Sequence, residues 1–185
     1  LVMFYRRSDK ELAMKLCDEA RKLFRAKRMG PMRDMLGVVM KRDRDRRTTT
    51  LDQSLHAKKI LESAGMTDCK ATSSPLPRSA KFTKADCPAE GDEETVSVED
   101  RRWYRSHLAS CIYLQTWTRP DLAFAVSKLS KFMQNPGRKH IEYLKHVLKY
   151  LKGSIFRCIV YDFSGKAPKE GVYGYFDAAH LDDLD

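Results

Sequence analysis

Thr118-Arg119-Pro120-Asp121-Leu122-Ala123-Phe124-Ala125-Val126 reads as the opening of a helix. Thr118 reads as an N-cap, Pro120 sits in a first helical turn, and Asp121 takes the capping-box position. The apolar face that follows is Leu122, Ala125/Val126, Leu129 and Phe132/Met133. Such a stripe has to be buried against other elements, and the flanking sequence supplies them. Ser97–Asp100 offers the cap for a helix reaching to about Trp117. After the Asn135-Pro136-Gly137 turn, a third helix runs from about Arg138 to Lys152. Ile141, Leu144, Leu148 and Leu151 form its core stripe. Lys145, Lys149 and Lys152 form a basic one, and Gly153 reads as its C′ residue.

Working outward toward the N-terminus, Leu1–Tyr5 reads as a buried strand. Ser8-Asp9-Lys10-Glu11 has the form of a capping box and predicts a helix to about Arg28, ended by Gly30-Pro31. Leu12, Leu16, Ala20 and Leu23/Phe24 share one face of it. Met35–Lys41, with a glycine at Gly37, predicts a strand. Asp43–Arg47 is a charged turn and Thr48–Gln53 is β-branched and extended, so the three make a hairpin. Ser54–Ala64 predicts a short helix closed by Gly65. Residues 66–97 show no periodicity and contain Pro75, Pro77 and Pro88; they read as a linker or wrapping segment. Toward the C-terminus, Ile155–Phe163 and Val172–Asp177 read as strands. The class implied is α+β.

Composition narrows the function. Among 185 residues, 42% are hydrophobic and 32% charged, a globular balance. No apolar run approaches the roughly 20 residues of a membrane span, and no secretory h-region is present. The net charge is +10, and it is unevenly spread. Residues 1–70 carry +8, 71–100 carry −4, 101–170 carry +10 and 171–185 carry −4. Two basic blocks fit a polyanionic partner such as nucleic acid, and equally fit a solvated basic surface. Five cysteines, widely spaced and without a C-x-x-C pair, fit reduced intracellular thiols rather than a disulfide framework or zinc finger. His107 and Cys111, at i and i+4, are better read as packing than as metal ligands. Phosphate-binding glycine loops, zincin motifs and nucleophile elbows are all absent.

Two features carry chemistry. Arg105, Ala109 and Tyr113 fall on one line along a helix. A cation, a small residue and a ring suit a surface lying against a nucleic-acid groove. An ordinary helix face is the simpler account of these three residues taken alone. Asp177, with Asp182, Asp183 and Asp185 behind it, could hold Mg²⁺ through carboxylate oxygens. Solvated loop carboxylates are the simpler account there too.

Beyond the residue chemistry, five blocks in order resemble copia-type LTR retrotransposon Pol polyproteins. Tyr104-Arg105-Ser106, Ile112-Tyr113-Leu114 and Thr118–Val126 are similar to the family's YRS…LLYL…TRPDIAFAV block. Tyr150-Leu151-Lys152-Gly153-Ser154 is similar to RYLKGT. Gly65–Lys70 with Pro75-Leu76 is similar to GMSDCKPVSTPL. Leu36-Gly37-Val38 resembles FLGIEI, and Gly174–Ala178 resembles GYSDAD. The blocks cover nearly the whole chain.

The resemblance implies a piece of a longer polypeptide, with reverse transcriptase running into RNase H. Residues 1–53 would be the rear of a polymerase palm, with Met35, Leu36 and Gly37 in a primer-grip-like hairpin. Residues 54–153 would form a thumb-like helical region, and 154–185 the start of an RNase H-like domain. Arg105, Ala109 and Tyr113 would track an RNA–DNA hybrid or DNA duplex template–primer, though Ala109 stands where the family more often has Gly. Asp177 would be a first RNase H carboxylate for Mg²⁺. Ala179-His180 replaces the family's Asp-Trp after Asp177-Ala178. The polymerase Asp pair on a strand turn is absent from these 185 residues, so polymerisation is not expected of them alone. The expected location is intracellular, in cytoplasm or nucleus, as part of a retroelement particle, with no membrane partner.

Overall fold

A computed structural model describes residues 7–25, 33–89 and 96–165. Among them are five α-helices and a four-stranded antiparallel sheet, so the α+β class holds. The readings on Leu1–Tyr5, Gly30-Pro31, Val172–Asp177 and Asp177 itself lie outside the described residues.

Helix α1 spans Lys10–Leu23. It does not open on the expected capping box. Residues 7–9 form a 3-10 turn, so Ser8 is not extended, and its hydroxyl bonds the Asp9 carboxylate at 2.9 Å instead. The helix stops at Leu23 rather than near Arg28, because Phe24 is already extended. Its apolar face is also not buried as the pattern suggests. Ala13 is the buried residue, while Leu12, Leu16, Leu23 and Phe24 are exposed.

The expected single strand over Met35–Lys41 is broken in two. β1 (Asp34–Met35) and β2 (Val38–Asp43) are joined by a two-residue turn at Leu36-Gly37. Both turn residues have positive φ, 53° and 74°. That is the turn whose twist matches paired antiparallel strands, and Gly37 is what permits it. β2 pairs with β3 (Thr48–Asp52) across the charged turn, as the hairpin reading requires. β4 (Ile159–Asp162) pairs with β3, with Leu51 opposite Ile159 and Thr49 opposite Tyr161. It is shorter than the expected 155–163 strand, since residues 154–156 are a turn. The hairpin and β4 thus share one sheet.

Between β3 and β4 the chain builds its core from α2 (Ser54–Ser63), α3 (Val98–Trp117), α4 (Ala123–Ser130) and α5 (Arg138–Gly153). For α2, α3 and α5 local sequence and structure agree closely, while α4 is shorter than its expected Leu122–Met133 stripe. Gly65 closes α2 at φ 68°, with the Met66 amide donating to the Leu61 carbonyl at 2.8 Å. The Ser97 hydroxyl accepts from the Asp100 amide at 3.0 Å and starts α3. Ile141, Leu144, Leu148 and Leu151 of α5 interlock with Leu108, Cys111, Leu114, Val126 and Leu129 in one apolar cluster. Burying a leucine of this kind stabilises the fold by about 1.5–3 kcal/mol.

Residues 66–89 carry a single 3-10 turn (Lys84–Asp86) and wrap the outside of α5. Phe82 lies between Phe132 and Tyr143, with ring centroids at 6.4 and 5.2 Å. The Tyr143 hydroxyl accepts from the Lys81 amide, and Lys152 donates to the Thr67 carbonyl. Two glycines let this strap lie close. A Cβ at Gly137 would overlap the Asp86 carbonyl, and one at Gly153 would press on the Ala71 side chain at 3.0 Å. Gly153 is therefore the last residue of α5, kept small by a neighbour, and not the positive-φ C′ glycine expected; Ser154 is the C-cap.

Candidate nucleic-acid interface

The line Arg105–Ala109–Tyr113 lies on α3, whose opposite side supplies Tyr104, Leu108, Cys111 and Leu114 to the core. Arg105 and Ala109 are exposed and Tyr113 is half-buried. At about 1.5 Å per residue the three span about 12 Å of helix.

Their partners differ. The Tyr113 hydroxyl donates to the backbone carbonyl of Leu36. The Tyr113 ring meets His56 edge-on, with centroids at 5.4 Å. Burial, reinforced by the nearby Lys59 charge, pushes the His56 imidazole below its ordinary pKa. The Leu36-Gly37 turn is thereby tied to α3. Two sequence candidates from blocks 77 residues apart meet at that bond. Leu36 is held there at positive φ and 70% exposed. A bulky residue in that region carries local backbone strain. Met35 is half-buried beside it and Gly37 is exposed. Arg105 is occupied differently. Its Nε donates to the Met133 carbonyl at 3.0 Å and an Nη to that of Gln134 at 2.7 Å. The guanidinium thus satisfies carbonyls of the turn that follows α4, while the residue stays on the surface.

The 118–126 stretch is doing something the pattern did not reveal. Thr118 is not an N-cap. It ends α3, and its hydroxyl donates to the buried Gln53 side-chain oxygen at 2.8 Å. A 3-10 turn over Pro120–Leu122 leads into α4. Arg119 is only 2% exposed. It forks onto the Asp121 carboxylate at 2.9 and 2.8 Å. The same guanidinium donates to the Ser154 carbonyl at 3.0 Å and to the Ser154 hydroxyl at 2.6 Å. Tyr150 donates to Asp121 at 2.8 Å, and Arg157 donates to the Tyr150 hydroxyl at 2.8 Å. Burial pushes the Asp121 carboxyl up, but hydrogen bonds from Arg119 and Tyr150 and the Arg119 charge outweigh it. The net pKa lies below the ordinary carboxylate value. The quoted TRPD and YLKGS blocks are therefore one buried lock. A sequence signal for it existed in the Arg-x-Asp spacing, but nothing local shows the arginine to be internal.

His107 and Cys111 are both buried. His107 Nδ1 lies 2.7 Å from the Trp103 carbonyl, and burial pushes the Cys111 thiol up to about 12. No group of three or more potential metal ligands occurs among the described residues. No described helix is long and apolar enough to cross a membrane.

The chain is homologous to a segment of retrotransposon Pol polyproteins. It is 35% identical over 177 residues to the retrovirus-related Pol polyprotein from transposon TNT 1-94 of Nicotiana tabacum, covering 96% of this chain and 13% of that one. An uncharacterized mitochondrial protein of Arabidopsis thaliana is 35% identical over 133 residues, 72% of this chain and 50% of that protein. The Pol polyprotein from transposon RE1 of the same plant is 30% identical over 135 residues, 73% of this chain and 8% of its own length. The chain thus spans half or less of the length of each of these relatives. No protein-family model matches it, and no solved structure does.

Proposed function

We propose that this chain is the duplex-holding part of a copia-type reverse transcriptase that runs on into RNase H. Its substrate is an RNA–DNA hybrid or DNA duplex template–primer. The observation that carries this reading is the Tyr113–Leu36 bond. It fastens an exposed, positive-φ turn onto the helix line Arg105–Ala109–Tyr113. A strained, exposed turn fixed beside a groove-sized helix face suits the positioning of a nucleic-acid strand. Ala109 lets a backbone approach, Tyr113 offers a ring edge, and Met35-Leu36-Gly37 presents an apolar rest for a primer end.

The net +10 charge supplies the sequence-independent attraction. Mg²⁺ would serve the nuclease chemistry of the longer enzyme. The described residues offer it no ligand set, and Asp177 lies outside them, so no step is derived through the ion. Catalysis is not assigned to this stretch alone.

A labelled RNA–DNA hybrid titrated with the protein across a salt series tests the reading. Affinity should fall linearly in log–log form, with a slope of about −0.9 per phosphate neutralised. Tyr113→Ala should weaken binding. No binding at low salt, or a flat salt response, rejects it. Template-directed dNTP incorporation by these 185 residues would overturn the non-catalytic assignment.

A further inference from the structure

The sheet sorts its charges by face. Paired residues in antiparallel strands share a face, and neighbours along a strand alternate. Met35, Val38, Met40, Arg42, Thr49, Leu51, Ile159 and Tyr161 therefore share one face. The strand acids Asp34, Asp43, Asp52 and Asp162 all fall on the other. On the acid-free face, Arg42, Thr49 and Tyr161 form a row across three strands. Phe163 extends the same side by one step, its amide donating to the Arg47 carbonyl at 2.8 Å. Tyr161 and Phe163 are 47% and 58% exposed, with nearly parallel rings 6.4 Å apart. Beside them projects the β2–β3 turn, Arg44-Asp45-Arg46-Arg47, all four exposed.

We propose that this ledge, Arg42 with Tyr161 and Phe163 beside the arginine turn, binds unpaired single-stranded nucleic acid. Bases would stack on the two rings, and phosphates would meet Arg42, Arg44 and Arg47. The logic is that of a charged groove with stacking platforms. Charge complementarity decides the occupant: an apolar protein partner gains nothing from the arginine rim, and a polyanion with flat bases uses both parts. The short Thr49 between Arg42 and Tyr161 leaves the row open for a ribose or deoxyribose. No residue of this ledge belongs to the α3 line or to Met35-Leu36-Gly37, so it stands or falls apart from the duplex reading.

The test is fluorescence anisotropy of the full chain with 5′-labelled oligo-dT and oligo-rU of 15 residues, against a blunt hybrid as control. Tyr161→Leu with Phe163→Leu keeps apolar bulk but removes the stacking faces, and circular dichroism verifies the fold. Single-strand affinity should drop about five- to hundredfold for each ring that holds a base, with the salt slope and the blunt-hybrid affinity unchanged. Arg42→Gln with Arg44→Gln should instead flatten the salt slope. Tyr161→Trp should keep or raise single-strand affinity and serves as the folded check. Unchanged single-strand affinity in the leucine pair, or an equal loss on the blunt hybrid, overturns the proposal.

Discussion

Removing the Arg119 guanidinium should be among the most damaging single changes available to this chain. Arg119→Met keeps much of the side chain's apolar length and deletes four hydrogen bonds, two to Asp121 and two to Ser154. Breaking a buried pair by removing one partner costs about 3–5 kcal/mol, because the surviving charge is left behind. Two features place this case at the lower end. The Asp121 side chain is 27% exposed, and Arg157 remains 3.6 Å from its carboxylate. A loss of about 3 kcal/mol follows. For a chain of this size that is a fall in Tm of roughly 6–12 °C. Urea unfolding followed by circular dichroism measures it, and Arg119→Lys, with one charged group and no fork, should lose less.

The same lock has an acid limb. Asp121 has a folded pKa depressed below its ordinary 3.8. Its contribution is therefore present above that value and disappears as the pH falls through the lower folded pKa. Asp121→Asn should flatten the stability profile in that acid window. A loss under about 1 kcal/mol for Arg119→Met, the range of exposed ion pairs, would refute the reading of Arg119 as a buried fastener between Asp121 and Ser154.

Three further outcomes are expected. Gly137→Ala should force the strap away from the Asp86 carbonyl and cost about 3 kcal/mol, the upper end for overpacking; limited proteolysis should then cut within residues 66–89. Tyr113→Phe removes the hydrogen bond to Leu36. It should cost only about 0.5–1.5 kcal/mol globally, yet hydrogen exchange should rise at residues 35–37. Native Cys111 should resist iodoacetamide at pH 8, being buried with its thiol pushed up to about 12, while exposed Cys158 reacts; equal labelling of both by mass spectrometry would contradict the packing.

The helical part was legible because its information is local. A 3.6-residue stripe such as Ile141, Leu144, Leu148 and Leu151, a Ser97 cap and a Gly65 stop all act within a turn or two of themselves. The departures from pattern are of two kinds, competition from a neighbour at Ser8 and contacts with distant groups elsewhere. Ser8 and Thr118 have the right chemistry for N-caps, but their backbones are not extended into a helix start, and their hydroxyls went to Asp9 and Gln53. The α1 apolar face has the right period and no described surface covering most of it. In the candidate site, the line of three residues on α3 was visible from spacing alone. That Tyr113 would reach Leu36, and that Arg105 would be turned onto the Met133 and Gln134 carbonyls, was not.

Residue pattern alone carries the α+β class, the four helices between the hairpin and β4, the charge blocks and the resemblance to transposon Pol polyproteins. The folded chain is what closes β4 onto β3 and makes Gly137 and Gly153 spaces kept for the strap. It alone decided that Arg119, a surface residue by type, is an internal fastener. The physical reason is common to all three. Hydrophobic period and capping are encoded in neighbouring residues. The cost of burying a charge, or of adding one methyl group, depends on which atoms the rest of the chain brings within a few ångströms.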